Sequence, residues 1–234
     1  MKKLILFLLV SVISTASVAQ KSFEGFYGQF GLGYESTSSS ASNVSEIFSS
    51  NPSVSYPLQP TISNINSFTQ NIGIGYTAKI TDQFLLGLGG DLNPISSSSG
   101  NFQLFNPNLG PAVQNSYKRT NSYNIFITPS YLLSNEGLIY AKVGYSGSQI
   151  EITAGSGTLS PGQVDKYNLS GYVLGAGYKQ FIMGNVYGFI EGNYNKYQST
   201  SISSASSNGS SSNSTSGNLN VSSYNFLVGI GYKF

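Results

Sequence analysis

From Phe26 onward, apolar and small or polar residues alternate with a period of two along much of the chain, the spacing that sends successive side chains to opposite faces of a β-strand. The clearest run is Phe68 to Ile80. Its even positions are Phe68, Gln70, Ile72, Ile74, Tyr76, Ala78 and Ile80, whereas its odd positions, Thr69 through Lys79, hold no large hydrophobe. The same split predicts strands over Phe26 to Tyr34 and Phe84 to Leu92. Further apolar faces are formed by Tyr123, Ile125, Ile127, Pro129, Tyr131 and Leu133, by Ile139, Ala141, Val143 and Tyr145, and by Tyr172, Leu174, Ala176 and Tyr178. Val186, Gly188, Ile190, Gly192 and Tyr194 make a weaker seventh. Tyr224, Phe226, Val228, Ile230, Tyr232 and Phe234 make an eighth that stops on an aromatic residue.

The connections sort by length. Thr81-Asp82-Gln83, Ser134 to Gly137 and Ile182 to Asn185 have tight-turn compositions, while roughly 35–66, 95–116, 150–166 and 198–221 read as long loops. Short links therefore lie at one end of the sheet and long ones at the other. An eight-stranded antiparallel up-and-down barrel fits this order, and its faces can be assigned by volume. So small a lumen accepts only filling side chains or one small ligand. The face carrying Gly31, Gly33, Gly73, Gly75, Gly87, Gly89, Gly175, Gly177, Gly229 and Gly231 fits inside; the Phe, Ile, Leu and Tyr face must point outward, where it needs hydrocarbon. A soluble lipocalin-type barrel, with the apolar face around a ligand, is the competing architecture. Aromatics at the strand ends are expected to form two interfacial girdles. One comprises Tyr34, Phe68, Tyr123, Tyr145, Tyr172 and Tyr194, the other Phe26, Phe84, Tyr131, Tyr178, Phe181, Tyr232 and Phe234.

Composition agrees with export to a membrane. Met1-Lys2-Lys3, an apolar run from Leu4 to Ile13 and the small residues of Ser17-Val18-Ala19 read as a signal peptide over 1–19, leaving 20–234 as one barrel domain. The run is shorter than the ~20 residues a spanning helix requires. With Lys2 and Lys3 set aside, nine basic residues balance nine acidic ones, so a nucleic-acid partner is not expected. Charged residues make up only 9% of the chain, and Cys is absent, which excludes disulfides and thiolate metal sites.

The stretch Gly171-Tyr172-Val173-Leu174-Gly175-Ala176-Gly177-Tyr178-Lys179, then Asn185-Val186-Tyr187 and Ile190-Glu191-Gly192-Asn193-Tyr194, resembles the last strands of small outer-membrane barrels grouped as OmpA-like, OmpX-like and opacity-type porin-family proteins. In those, a strand ending in Gly-x-Gly-aromatic turns through an Asn-containing corner into a strand with an inward Glu. The resemblance covers about 170–234 and implies an outer-membrane location in a Gram-negative bacterium, with long loops extracellular and both termini periplasmic. It also implies contact with outer-membrane lipid and lipopolysaccharide, and recognition of the terminal strand, with Tyr232 and Phe234 as the assembly signal, by the outer-membrane insertion machinery. Asn193 stands where a second inward basic residue is common in the family. No periplasmic domain is expected after Phe234.

Parity sends Asp91, Lys142, Lys179 and Glu191 into the lumen, where isolated charges would each cost several kcal/mol, so they should pair. The expectation is a network of Asp91, Lys142 and Glu191 extended by Gln29, Asn71, Asn124 and Asn193. It serves either as a plug that stiffens the barrel or as a gate on a narrow porin-like channel. No catalytic residue, metal site or cofactor is expected: the chain has no His to act as general base, and its Ser residues lack an activating partner. The Gly clusters, such as Gly28-x-x-Gly31-x-Gly33, lie in strands with no following helix and so are not nucleotide-binding turns. The last long segment, Ser199 to Asn220, is Ser-, Asn- and Gly-rich and uncharged, the first carries only Glu35 and Glu46 as charges, and segments of this kind are expected to be mobile. Either they form a solvated coat, or they bind a host or neighbouring-cell surface ligand through Phe48, Tyr56, Phe102 and Phe105, unless these four pack on one another over the rim. A monomeric, non-enzymatic surface protein with a structural or adhesin-like role is the resulting expectation.

Overall fold

A computed structural model describes residues 22–95, 99–106, 110–155 and 158–234. The expected leader over 1–19 lies outside these residues. The described residues form twelve strands: β1 (Gly25–Phe48), β2 (Tyr56–Pro57), β3 (Gln59–Ile62), β4 (Ile65–Lys79), β5 (Phe84–Asn93), β6 (Gly100–Asn106), β7 (Gly110–Leu132), β8 (Gly137–Thr153), β9 (Val164–Met183), β10 (Val186–Tyr197), β11 (Thr200–Ser207) and β12 (Ser212–Lys233). Eight of them close a ring in the order β1, β4, β5, β7, β8, β9, β10, β12, with β12 returning to β1. Every neighbouring pair is antiparallel. Phe30 sits opposite Ile72 on one side and Ile230 on the other, so the alternating patterns of three strands share a face.

That face is the outside. Ile74, Leu88, Ile125, Phe226 and Ile230 are each more than half exposed, an apolar belt far larger than a water-soluble monomer carries. The glycine face is the inside, and the space it frees is taken up by rings. A Cβ on Gly31 would press on Phe189 at 3.0 Å, and one on Gly89 would meet both Phe126 and Tyr27 at 2.8 Å. Tyr27, Phe126, Tyr140, Tyr187 and Phe189 are thus bulky residues that do point inward, each seated over glycine from neighbouring strands.

Two expectations need correction here. Phe181, assigned to a girdle, is 3% exposed and stacks on Phe23 inside the barrel at 4.2 Å between ring centres. Its odd number puts it on the lumen face of β9 with Val173 and Lys179, and a register irregularity at Val186/Tyr187 sets it opposite Tyr187.

The second correction concerns the four long connections, whose described residues are largely strand rather than irregular loop. β1 and β12 stay paired as far as Phe48 and Asn213, and β7 and β8 as far as Ser116 and Thr153. β11 takes over from β10 along β12, and β6 takes over from β5 along β7. The physical reason is that these segments need not nucleate structure themselves: the ladder propagates from the barrel, and Ser, Thr and Asn supply the backbone groups that extend it. Sparse inward hydrophobes, among them Ile150, Leu169, Ile202, Leu219 and Val221, supply a second buried core. Beside β9 the tower wall is stapled by side chains, with Tyr167 Oη donating to Ser203 O at 2.7 Å and Gln163 Nε2 to Ala205 O at 3.2 Å.

Two bulges reverse parity at the foot of this tower. Asn43 and Asn121 have φ of 52° and 51°, the left-handed region that Asn tolerates better than most residues. Each lies where two residues oppose one, between Ser42 and Ser45 on β1 and between Thr120 and Tyr123 on β7. Beyond them Val44 and Arg119 turn inward, against the parity of the lower strands.

At the opposite end the turns are short. Gly184 adopts φ +53° in the β9–β10 turn, and nothing lies within 4 Å of the Cβ it lacks. Gly184→Ala therefore tests backbone conformation alone, and it is expected to lower stability by about 1–2 kcal/mol, read from the urea midpoint of the barrel refolded in lipid vesicles.

Candidate functional site

The lumen is built in layers. Near the middle, Lys142 on β8 donates from Nζ to Asp91 Oδ2 on β5 at 2.6 Å and to Glu191 Oε1 on β10 at 3.0 Å. All three side chains are at most 2% exposed. Glu191 also accepts from Tyr140 Oη at 2.6 Å and from Asn193 Nδ2 at 2.8 Å, and Asn124 Nδ2 donates to Asp91 Oδ1 at 2.7 Å. Gly175 and Gly177 on β9 open the space through which β8 and β10 meet: a Cβ there would run into Asn193 and Tyr140. Lys142 Nζ further lies 4.1 Å from the centre of the Phe126 ring. Gln29 and Asn71, placed in the same network by sequence, are lumenal but bond elsewhere, to Tyr187 and Asn93.

Lys179 faces the lumen outside that network. Its Nζ sits over the Tyr27 ring at 4.1 Å and over Tyr140 and Tyr187 at 5.1 Å, an aromatic cage that replaces a carboxylate partner. Beside it and toward the short-turn end, Phe23, Leu85, Leu138, Phe181, Tyr187, Phe189 and Leu227 pack into an apolar stopper. The residual void here measures only about 10 Å³.

Above the triad, Asn193 bonds to Asn225 at 2.9 Å, and Ser146 donates to Asn195 and Tyr197 at 3.2 Å. Arg119 then forms a buried ion pair with Glu35 and donates to Tyr197 Oη at 2.9 Å. Over this pair lie Ile65, Phe102, Tyr117, Ile150, Leu169, Ile202, Leu219 and Val221. Of these, Phe102 and Ile202 also line a cup of about 270 Å³ inside the tower.

Residues 5–234 match the outer membrane protein beta-barrel domain family. The chain belongs to that family. Its place is therefore the outer membrane of a Gram-negative bacterium. No curated protein matches by sequence. Among solved structures, the outer membrane protein OprG from Pseudomonas aeruginosa aligns over 92% of this chain and 98% of its own at 12% identity, with a TM-score of 0.59. That likeness is one of fold. Neisserial surface protein A aligns over 90% of this chain and 98% of its own at 16% identity and a TM-score of 0.49. Ail, the attachment invasion locus protein of Yersinia pestis, aligns over 91% and 100% at 13% identity and a TM-score of 0.47.

In this outer-membrane barrel the four surface candidates divide. Phe48 and Tyr56 pack edge to face, 5.6 Å between ring centres, and Phe105 is 40% exposed. Phe102, at 5% exposure, belongs to the inner core and offers no contact area. Glu35, read as a loop charge, is 3% exposed and is the partner of Arg119. On the tower's outer wall Glu151 bridges Lys166 at 2.8 Å and Lys118 at 3.0 Å, and hydrogen bonds from these two lysines hold its carboxyl below the usual carboxylate range. In the cup, burial pushes the Glu46 carboxyl above that range, against a hydrogen bond from Asn213. Among the described residues no group of acidic side chains is placed to hold a metal.

Proposed function

We propose that this barrel is a closed, membrane-anchored platform whose function is carried by the tower at its long-hairpin end, held outside the cell, in a structural or adhesin-like role. The observation that carries the reading is the filled lumen: apolar stopper, caged Lys179, Lys142 triad, Arg119–Glu35 pair and upper apolar core follow one another along the axis. A water-filled path needs room for water at every level, and the layers around Lys179 leave a void of about one water. In this arrangement Lys142 acts as a lock between three strands rather than as a gate. Asp91 and Glu191 are both occupied by Lys142, so the lumenal carboxylates serve no substrate, and the protein acts without catalysis.

Orientation follows from the same reading. Short turns and both chain ends face the periplasm and the hairpins face outward, as in bacterial barrels of this kind. Tyr232 and Phe234, which pack edge to face at 5.1 Å between ring centres, form the C-terminal signal recognised by the insertion machinery. Purified protein in planar bilayers is expected to give no conductance above the lipid background. On cells, shortening the β11–β12 hairpin by removing 203–215 is expected to lower attachment to a surface while leaving heat-modifiable gel mobility intact. A steady single-channel current from the wild type, or attachment unchanged by the deletion, would overturn the reading.

A further inference from the structure

The cup inside the tower has a floor, walls and an unbalanced charge. Its walls are mostly apolar, with Val44, Leu58, Leu104, Ile152, Leu159 and Tyr167 among them, and at about 270 Å³ it lies near the lower end of small-molecule pockets, ~300–1,000 Å³. Two carboxylates also line it, Glu46 from β1 and Asp165 from β9, and no Lys or Arg does. Neither acid has a cationic partner among the described residues. Glu46 accepts from Asn213, and Asp165 accepts from Gln163 and Ser204, so their hydrogen bonds are to neutral groups. Both are half-buried, and each lacks the opposite charge that the fully buried Asp91, Glu191 and Glu35 have lower in this barrel. In an apolar cup that lowers the local dielectric, two uncompensated acids favour a cation strongly over an anion.

We propose that this cup is a binding site for a small amphipathic cation of the alkylammonium class, its hydrocarbon part against the apolar walls and its charged head between Glu46 and Asp165. The site is a dead end, since the upper apolar core and the Arg119–Glu35 pair close it below; it therefore retains a ligand rather than passing it on. The Asn43 bulge is what makes the site, because it turns Val44, Glu46 and Phe48 toward the axis. The proposal stands apart from the adhesin-like role and can fail without it.

The test uses the full barrel in lipid nanodiscs with hexyltrimethylammonium as probe, hexanoate as its anionic counterpart, and titration calorimetry as the readout. Saturable binding of the cation is expected, with hexanoate weaker by at least about tenfold. Glu46→Gln with Asp165→Asn should erase most of that difference, whereas Ala154→Trp, which fills the cup from its wall, should abolish binding. Heat-modifiable gel mobility checks that both variants are folded, and Leu58→Trp is a second filling variant if the first is not. Equal affinity for cation and anion in the wild type would overturn the proposal. So would binding that survives a folded, filled cup, or uptake no greater than that of empty nanodiscs.

Discussion

Lys142→Met is expected to destabilise the barrel by about 3–5 kcal/mol, because it leaves two carboxylates buried with no cation between them. The side chains of Asp91, Lys142 and Glu191 are essentially without exposure, and the lysine holds both acids within 3.0 Å. Met matches Lys in length, so packing changes little and the loss reports charge. The measurement is the urea midpoint of protein refolded into lipid vesicles, followed by the fraction that keeps its folded, heat-modifiable mobility. A companion triple variant, Asp91→Leu, Lys142→Met and Glu191→Leu, should recover most of the loss, since a buried ion cluster replaced by apolar groups of like size is often neutral. If Lys142→Met alone were as stable as wild type, the triad would not be the lock assigned to it. Conductance of the folded fraction should stay at background, because the stopper below and the Arg119 layer above remain in place.

Tyr187→Ala should cost about as much, ~3–5 kcal/mol, through lost packing rather than lost charge. Tyr187 is 1% exposed; its ring packs against Phe23 and Phe181 at 6.2 Å and lies under Lys179, while its hydroxyl donates to Gln29 at 3.2 Å. It also covers Gly231, whose three nearest would-be Cβ contacts all belong to this ring. Gly231→Ala on its own is therefore an overpacking change worth about 1–3 kcal/mol. In the Tyr187→Ala background the added methyl meets empty space, and most of its cost should vanish. Such non-additivity is the signature of residues in direct contact. Additive losses in the double-mutant cycle would show that the ring and the glycine do not share that space.

The barrel itself was legible because its physics is repetitive. One alternation rule, applied to Phe68–Ile80 and seven other segments, put Asp91, Lys142, Lys179 and Glu191 on the face that is buried in the structure, though it left Glu35 in a loop, and turn length sorted the two ends. The meeting of Lys142 with Glu191 could be anticipated from Gly175 and Gly177 on the strand between them. Arg119 could not be found in this way. Counting residues from Tyr123 places it on the lipid face, and only the extra residue at Asn121 turns it toward Glu35. The inward rings were hidden for a different reason: Tyr187 and Phe189 sit on the weakest alternating strand, and their partners Gly231 and Gly229 are neighbours through the sheet, not along the chain.

The tower shows where composition misleads. A Ser- and Asn-rich segment buries too little to fold alone, yet the same segment prolongs a ladder whose first rungs already exist. By itself, then, the sequence determined the alternating faces, the number of membrane strands, the ends that carry short and long connections, and the lumenal position of Asp91, Lys142, Lys179 and Glu191, all properties with a period of two. Tertiary structure alone decided that Arg119 pairs with Glu35, that Gln29 and Asn71 bond outside the Lys142 network, that Lys179 is caged by tyrosines, and that a cup with two acids sits over these layers. Those depend on register across a closed ring and on two single-residue bulges, and a shift of one residue in either exchanges the faces.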